Sequence, residues 1–123
     1  ISYKGKKYLA KNLTYGEGDL KISFVLDTEE NKNIVSFVKD SDLLIAEASF
    51  LEDSEKGKKL AKEHLHLTSK QAAEIAKKAK VKQLFLTHIS QRYEKNPKEI
   101  LSEAKKVFKN SRLANDFDVV EVK

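Results

Sequence analysis

Leu43-Leu44-Ile45-Ala46 is an unbroken apolar run that stops at Glu47, and Gln83-Leu84-Phe85-Leu86-Thr87 has a similar form and stops at His88. Runs apolar on both faces suit strands buried inside a sheet. Upstream, Ile22-Ser23-Phe24-Val25-Leu26 is a shorter β-rich run ending at Asp27. Between the runs, Ile34, Val35 and Val38 fall at helical spacing and predict a short helix over residues 31–39. Thr68-Ser69-Lys70-Gln71 has the form of a capping box, opening a helix whose Ala72, Ile75, Ala76 and Ala79 make a small apolar face. Asn96-Pro97 starts another helix, with Ile100, Leu101, Ala104, Val107 and Phe108 as its inner stripe. Residues 52–63 are so charged that a helix and an exposed loop both remain open. Alternation over Phe117-Asp118-Val119-Val120-Glu121-Val122 predicts a final edge strand. Residues 1–15 read as a strand or hairpin turning at Gly5, followed by a second turn at Gly16-Glu17-Gly18-Asp19.

The predicted order is β-α-β-α-β-α-β, an α/β fold with a mostly parallel or mixed sheet covered by helices. The 123 residues and 14.0 kDa suit one domain. With no Cys, disulfides, thiolate zinc sites and cysteine nucleophiles are excluded, and a reducing cytoplasmic setting is consistent. No apolar run approaches membrane-spanning length and no signal-peptide core opens the chain. A net charge of +5 favours an anionic partner. The lysines from Lys56 to Lys82 read first as solvated helix faces and second as a phosphate-attracting surface without aromatic interleaving. Because the chain starts at Ile1 and not Met, residues upstream are expected.

In parallel sheets ligands bind beyond the carboxyl ends of the strands. Asp27, Glu47 and His88 each follow or end an apolar run there. Taken singly, each suits a turn, a cap or a surface hydrogen bond. Together they can be metal ligands, or an acid with its orienting carboxylate. His64-Leu65-His66 forms a chelate only if extended; otherwise one His is solvated and the other packs at the helix start. There is no GxGxxG or Walker loop, and Ser49 and Ser90 lack a nucleophile elbow.

Thr87-His88-Ile89-Ser90-Gln91-Arg92-Tyr93 resembles the Thr-His-x-Ser-x-Arg-Tyr signature of ribonuclease Z, the tRNA 3′-processing endonuclease of the metallo-β-lactamase fold. Ala46-Glu47-Ala48-Ser49-Phe50 is similar to that family's His-Glu-Ala-Thr-Phe box, and His66-Leu67-Thr68 with Gln71-Ala72-Ala73 to its His-Ser-Thr box. Leu26-Asp27-Thr28 stands where the family has Gly-Asp-Thr. The resemblance implies half of an αββα sandwich, with Asp27 bridging two zinc ions and His88 ligating one. It implies a Glu47–His66 relay in which His66 gives a proton to the leaving oxygen. Arg92, Tyr93 and Ser90 would support the site or touch substrate. A tRNA precursor as substrate, a cytoplasmic location and a homodimer follow from the same resemblance.

Ala46, Leu67 and Leu26 depart from the family's His, Ser and Gly, and His64 has no counterpart. The His-x-His-x-Asp-His motif and the tRNA-gripping arm are absent from these 123 residues. The chain therefore reads as a single partial domain, residues 1–123, whose N-terminal half lies on the same or another chain. On its own it is expected to be inactive. Two other readings stand beside this one: another phosphodiesterase of the same fold, and a non-catalytic half-domain that binds RNA or a partner.

Overall fold

A computed structural model describes residues 1–13, 15, 16 and 18–123. Two short strands, β1 (Ser2–Tyr3) and β2 (Lys6–Lys7), pair antiparallel through a turn in which Lys4 and Gly5 both have positive φ. The turn expected over residues 16–19 includes Glu17 and lies outside the described residues. The remainder alternates strand and helix: β3 (Ile22–Val25), α1 (Lys32–Phe37), β4 (Leu43–Glu47), α2 (Glu55–His64), α3 (Ser69–Lys78), β5 (Leu84–Thr87), α4 (Lys98–Val107) and β6 (Ser111–Leu113). Strands β3 to β6 form one sheet in sequence order, every pair parallel.

Local chemistry explains the helix starts. Asn31, Ser54 and Thr68 each accept a backbone N–H at their helix entrance. Thr68 and Gln71 complete the reciprocal capping box. Pro97 has helical torsions just before α4, where its missing N–H costs nothing. The charged stretch left open above folds as α2 and turns only Gly57 and Ala61 fully inward.

Paired residues in parallel strands share a face, so Val25, Ala46 and Leu86 point one way with Leu44 and Leu84. They form the core with Ile34 and Val38 near α1, Ala72, Ile75 and Ala76 of α3, and Ile100 and Ala104 of α4. Leu44, Leu84, Leu86 and Ile100 are fully buried, and each such side chain stabilises the fold by about 1.5–3 kcal/mol.

The opposite face has the arrangement that half of an αββα sandwich implies. No helix crosses it among the described residues, and Ile22 and Phe24 on it are 48% and 58% exposed. One apolar sheet face thus carries the helices; on the other, Leu43 and Phe85 are buried while Ile22 and Phe24 of β3 stay open.

The C-terminal strand is also displaced from its expected place. Phe117 has φ of 68° and is fully exposed, Val119 is 96% exposed, and neither belongs to a strand. Asn115 and Asp118 close a turn on each other that interrupts any extended run. The edge strand is Ser111–Leu113, which has no apolar alternation to announce it and is specified by pairing with β5. Among the described residues no helix is long and apolar enough to cross a membrane.

Candidate active site

The carboxyl ends of β3, β4 and β5 deliver Asp27, Glu47 and His88 to one edge of the sheet, as the strand ends predict. Asp27 and His88 themselves adopt the left-handed region, with φ of 49° and 54°. Asp and His enter that region more readily than most residues, and backbone held there concentrates at functional sites. A third left-handed residue, Leu65 at φ 58°, ends α2 and swings His66 toward the same edge.

Glu47 is the hub. Its side chain is fully buried, at the last position of β4. One oxygen, Oε1, accepts the backbone N–H of Thr28 at 2.6 Å, which fixes the turn carrying Asp27. The other, Oε2, meets His66 Nδ1 at 2.8 Å and Ser49 Oγ at 2.9 Å. Ser49 Oγ in turn lies 3.0 Å from His88 Nδ1 and 2.8 Å from the His88 carbonyl oxygen. One buried carboxylate therefore positions all three of the residues around it: Asp27 through a backbone amide, His66 directly and His88 through Ser49.

The tautomers follow from donor and acceptor roles. A carboxylate accepts, so His66 Nδ1 donates to Glu47 and its Nε2 keeps the lone pair. Ser49 has one hydroxyl hydrogen, directed to Glu47 or to the His88 carbonyl, both acceptors. It can only accept from His88 Nδ1, so His88 Nε2 is likewise the bare nitrogen. That nitrogen is 3.3 Å from Asp27 Oδ1. Ligand atoms of Asp27, His66 and His88 all lie within 4.8 Å of one another. Two imidazoles and a carboxylate, with the other ring nitrogens tied back to a carboxylate and a hydroxyl, are a donor set that fits a borderline divalent cation such as zinc.

The remaining residues singled out above lie around this centre. Tyr93 reaches behind it, its hydroxyl accepting the N–H of Leu51 at 3.2 Å and so holding the loop that follows Ser49. Ser90 donates its N–H to the Ser49 carbonyl at 3.1 Å and caps the turn at Gln91–Tyr93. The Arg92 side chain is exposed. His64 does not chelate with His66: it ends α2 and stacks on Phe50, ring centroids 6.5 Å apart. The left-handed Leu65 between them denies the extended geometry a chelate needs. His66 opens onto a cavity of about 250 Å³ whose walls carry Lys58, Lys62, Glu29, Glu30 and Glu52. Both signs of charge are present, so the cavity by itself selects no anion.

Sequence reasoning passed over Ser49, Thr28 and Glu103. Ser49 had a signal, two residues beyond Glu47 in the same box; Thr28 contributes only its backbone. The Glu103 carboxylate is buried and accepts the N–H groups of Glu52, Asp53 and Lys70 and the hydroxyl of Ser69. Its signal was an acid on the inner stripe of α4, between Ile100 and Val107.

The site is thus a carboxylate-organised pair of histidines at the carboxyl edge of a parallel sheet with helices on one face. The chain belongs to the beta-lactamase superfamily, whose domain model matches residues 13–89. Within that superfamily it resembles ribonuclease Z: it is 45% identical over 124 aligned residues to the ribonuclease Z of Archaeoglobus fulgidus, the match covering 99% of this chain and 39% of that protein. Among solved structures, human tRNase Z, short form, aligns with a TM-score of 0.52 at 35% identity, over 72% of this chain and 27% of the human one. The metallo-beta-lactamase fold protein YhfI from Bacillus subtilis aligns with a TM-score of 0.65 at 28% identity, over 75% and 36% of the two chains. The chain thus spans about two-fifths of the length of its Archaeoglobus relative.

Proposed function

We propose that this chain is the C-terminal part of a zinc-dependent endoribonuclease that removes 3′ trailers from tRNA precursors. The observation that carries the reading is Glu47, one buried carboxylate aligning Asp27, His66 and His88 at a strand edge. The identity to a ribonuclease Z along nearly the whole chain supports the substrate class. Asp27 and His88 would be the ligands this chain contributes to the zinc centre. Zinc supplies a Lewis acid that polarises the phosphate and lowers the pKa of attacking water.

The protein's own residues do the rest. Glu47 holds His66 through Nδ1, and with the ring in its imidazolium form the Nε2–H faces the leaving oxygen and gives it that proton, leaving the neutral ring with its lone pair on Nε2. Tyr93 and Ser90 keep the Ser49 loop against His88, and Arg92 lies at the rim for substrate. The other ligands and a second sheet come from the remainder of the protein, which packs on the open face bearing Ile22 and Phe24. Residues 1–123 are thus one partial domain. A homodimer in the cytoplasm belongs to the same reading.

The test is cleavage of a 3′-extended tRNA precursor by the complete protein. Asp27→Ala and His88→Ala abolish cleavage, and His66→Ala lowers kcat by roughly 10²–10⁴-fold with the fold intact. The 123-residue chain alone stays inactive. The TM-score of 0.65 with YhfI favours, as a second reading, another phosphodiesterase of the same fold. Turnover of a generic aryl phosphodiester with no trailer removal would establish it. No hydrolysis of either substrate by the complete protein leaves the non-catalytic half-domain.

A further inference from the structure

We propose that Glu103 is a positioning residue for proton transfer: from α4 it holds the His66 segment and the loop after β4 in register, so that His66 reaches both Glu47 and the leaving oxygen. The inference deepens the ribonuclease reading and rests on it, since there His66 is the proton donor.

Glu103 lies outside the cluster at the strand edge, yet it grips both segments that build the donor pair. One oxygen, Oε1, accepts the Glu52 N–H at 2.9 Å, the Lys70 N–H at 3.2 Å and the Ser69 hydroxyl. The other, Oε2, accepts the Asp53 N–H at 2.8 Å. Glu52 and Asp53 follow the stretch from Glu47 to Phe50, while Ser69 and Lys70 stand three and four residues beyond His66. The two segments run side by side. Ser49 N–H donates to the Leu67 carbonyl at 3.1 Å and Ser69 N–H to the Phe50 carbonyl at 2.9 Å, with Phe50 and Thr68 paired as a parallel bridge. The 2.8 Å bond between His66 Nδ1 and Glu47 extends this ladder to the reacting edge.

The support is rigid and its reach is selective. Ile100 and Ala104, on either side of Glu103 along α4, are fully buried in the core, and Glu103 itself is 5% exposed. With so little water to compete for its donors, the carboxylate fixes their places. Upstream, His66 is anchored by its own N–H on the Ala61 carbonyl at 2.9 Å. Downstream, the grip on Ser69 and Lys70 stops the segment from sliding along the loop after β4. Asp27 and His88 stand beyond β3 and β5, and none of the four bonds touches either strand. Loosening Glu103 therefore displaces the proton donor and leaves Asp27 and His88 in place. Misplacing a reacting group by an ångström costs up to about 100-fold in rate.

The test uses the complete protein and two tRNA precursors, one ordinary and one in which the oxygen that leaves the scissile phosphate is replaced by sulfur. As the phosphorus–oxygen bond breaks, the oxygen takes the proton of His66 Nε2–H; sulfur departs as a thiolate without one. In Glu103→Gln the kcat on the ordinary precursor, relative to the sulfur one, falls roughly 10–100-fold, with KM unchanged. Both rates come from one sample, so a reduced folded fraction cancels in the ratio. His66→Ala shows the same selective loss in full. Ser69→Ala deletes a single donor and moves the ratio the same way by less. Equal losses on both precursors in Glu103→Gln, or no loss on either, mean that Glu103 only stabilises the fold and overturn the proposal. Where Glu103→Gln fails to fold, an unchanged ratio in Ser69→Ala overturns it. A parent protein that removes no trailer overturns the ribonuclease reading and this proposal together, whereas a parent that does so with no change of ratio in the variants overturns this proposal alone.

Discussion

Ser49 Oγ touches His88 twice, at 3.0 Å from Nδ1 and 2.8 Å from the carbonyl oxygen, and so fixes both the ring and the backbone of a strand-end histidine. With its hydroxyl also 2.9 Å from Glu47, this serine couples the buried carboxylate to His88. Ser49→Ala leaves buried acceptors without their donor and costs about 1–3 kcal/mol in urea unfolding. It also weakens zinc binding by roughly 10–100-fold, the usual effect of removing a partner behind a ligand. Ser49→Thr retains the hydroxyl and restores both. Equal zinc affinity in Ser49→Ala and the parent chain would show that His88 needs no such support.

Glu103 ties three segments together at a distance from the reacting edge. Its oxygens take two amides of the loop after β4, the Lys70 amide in the first turn of α3, and the Ser69 hydroxyl. Glu103→Ala removes the acceptor for four donors at once, and the expected loss is about 3 kcal/mol or more. Glu103→Gln keeps one acceptor oxygen but turns an amide N–H toward the remaining donors, so it loses nearly as much. Guanidinium unfolding of both variants measures this, and a loss under about 1 kcal/mol contradicts the anchoring role.

The strands and helices around the site were legible because each announced itself locally. Apolar runs ending at Asp27, Glu47 and His88 mark three strand ends, and the Thr68 box marks the helix after His66. What escaped was set by tertiary pairing. Ser111–Leu113 becomes an edge strand only because Leu84–Leu86 offers it a partner, whereas the alternating residues 117–122 have none. Asp27, Glu47, His66 and His88 were legible as a set through motif order. The bridging role of Ser49 was not, because it depends on a contact between residues 39 apart in sequence. The open sheet face could not be read locally either, since apolar strand residues look alike whether a helix or a second sheet covers them.

Asp42 predicts an acid limb in the stability profile. The Lys82 ammonium, 2.5 Å from its Oδ1, and the Lys21 amide, 2.8 Å from Oδ2, hold its carboxyl below the ordinary value of 3.8. A carboxyl more acidic in the folded than in the unfolded chain binds fewer protons when folded. Its contribution is complete above the unfolded value and is lost as pH falls through the lower, folded one. Asp42→Asn therefore lowers the thermal midpoint near neutral pH, and the gap to the parent chain closes below pH 3.8. A gap that stays constant down to pH 2 would mean that the charge on Asp42 plays no part.

Gly57 tests how tightly the loop behind the site is clamped. A Cβ built there would lie 2.3 Å from the Leu51 carbonyl oxygen and 3.1 Å from the Tyr93 hydroxyl. The first contact is with backbone, so the loop and not a flexible side chain must move. That loop runs back to Ser49, and Tyr93 holds it from the other side through the Leu51 amide. In a helix interior Gly→Ala normally stabilises by about 0.5–1 kcal/mol, yet the overlap here reverses the sign, with an expected cost of about 1–3 kcal/mol. Tyr93→Phe removes only the hydroxyl and costs about 1 kcal/mol. Because Gly57, Leu51 and Tyr93 share one contact, the double variant is less destabilised than the sum of the two single variants. Strict additivity in urea unfolding, or a stabilising Gly57→Ala, would show that helix and loop do not meet as closely as this.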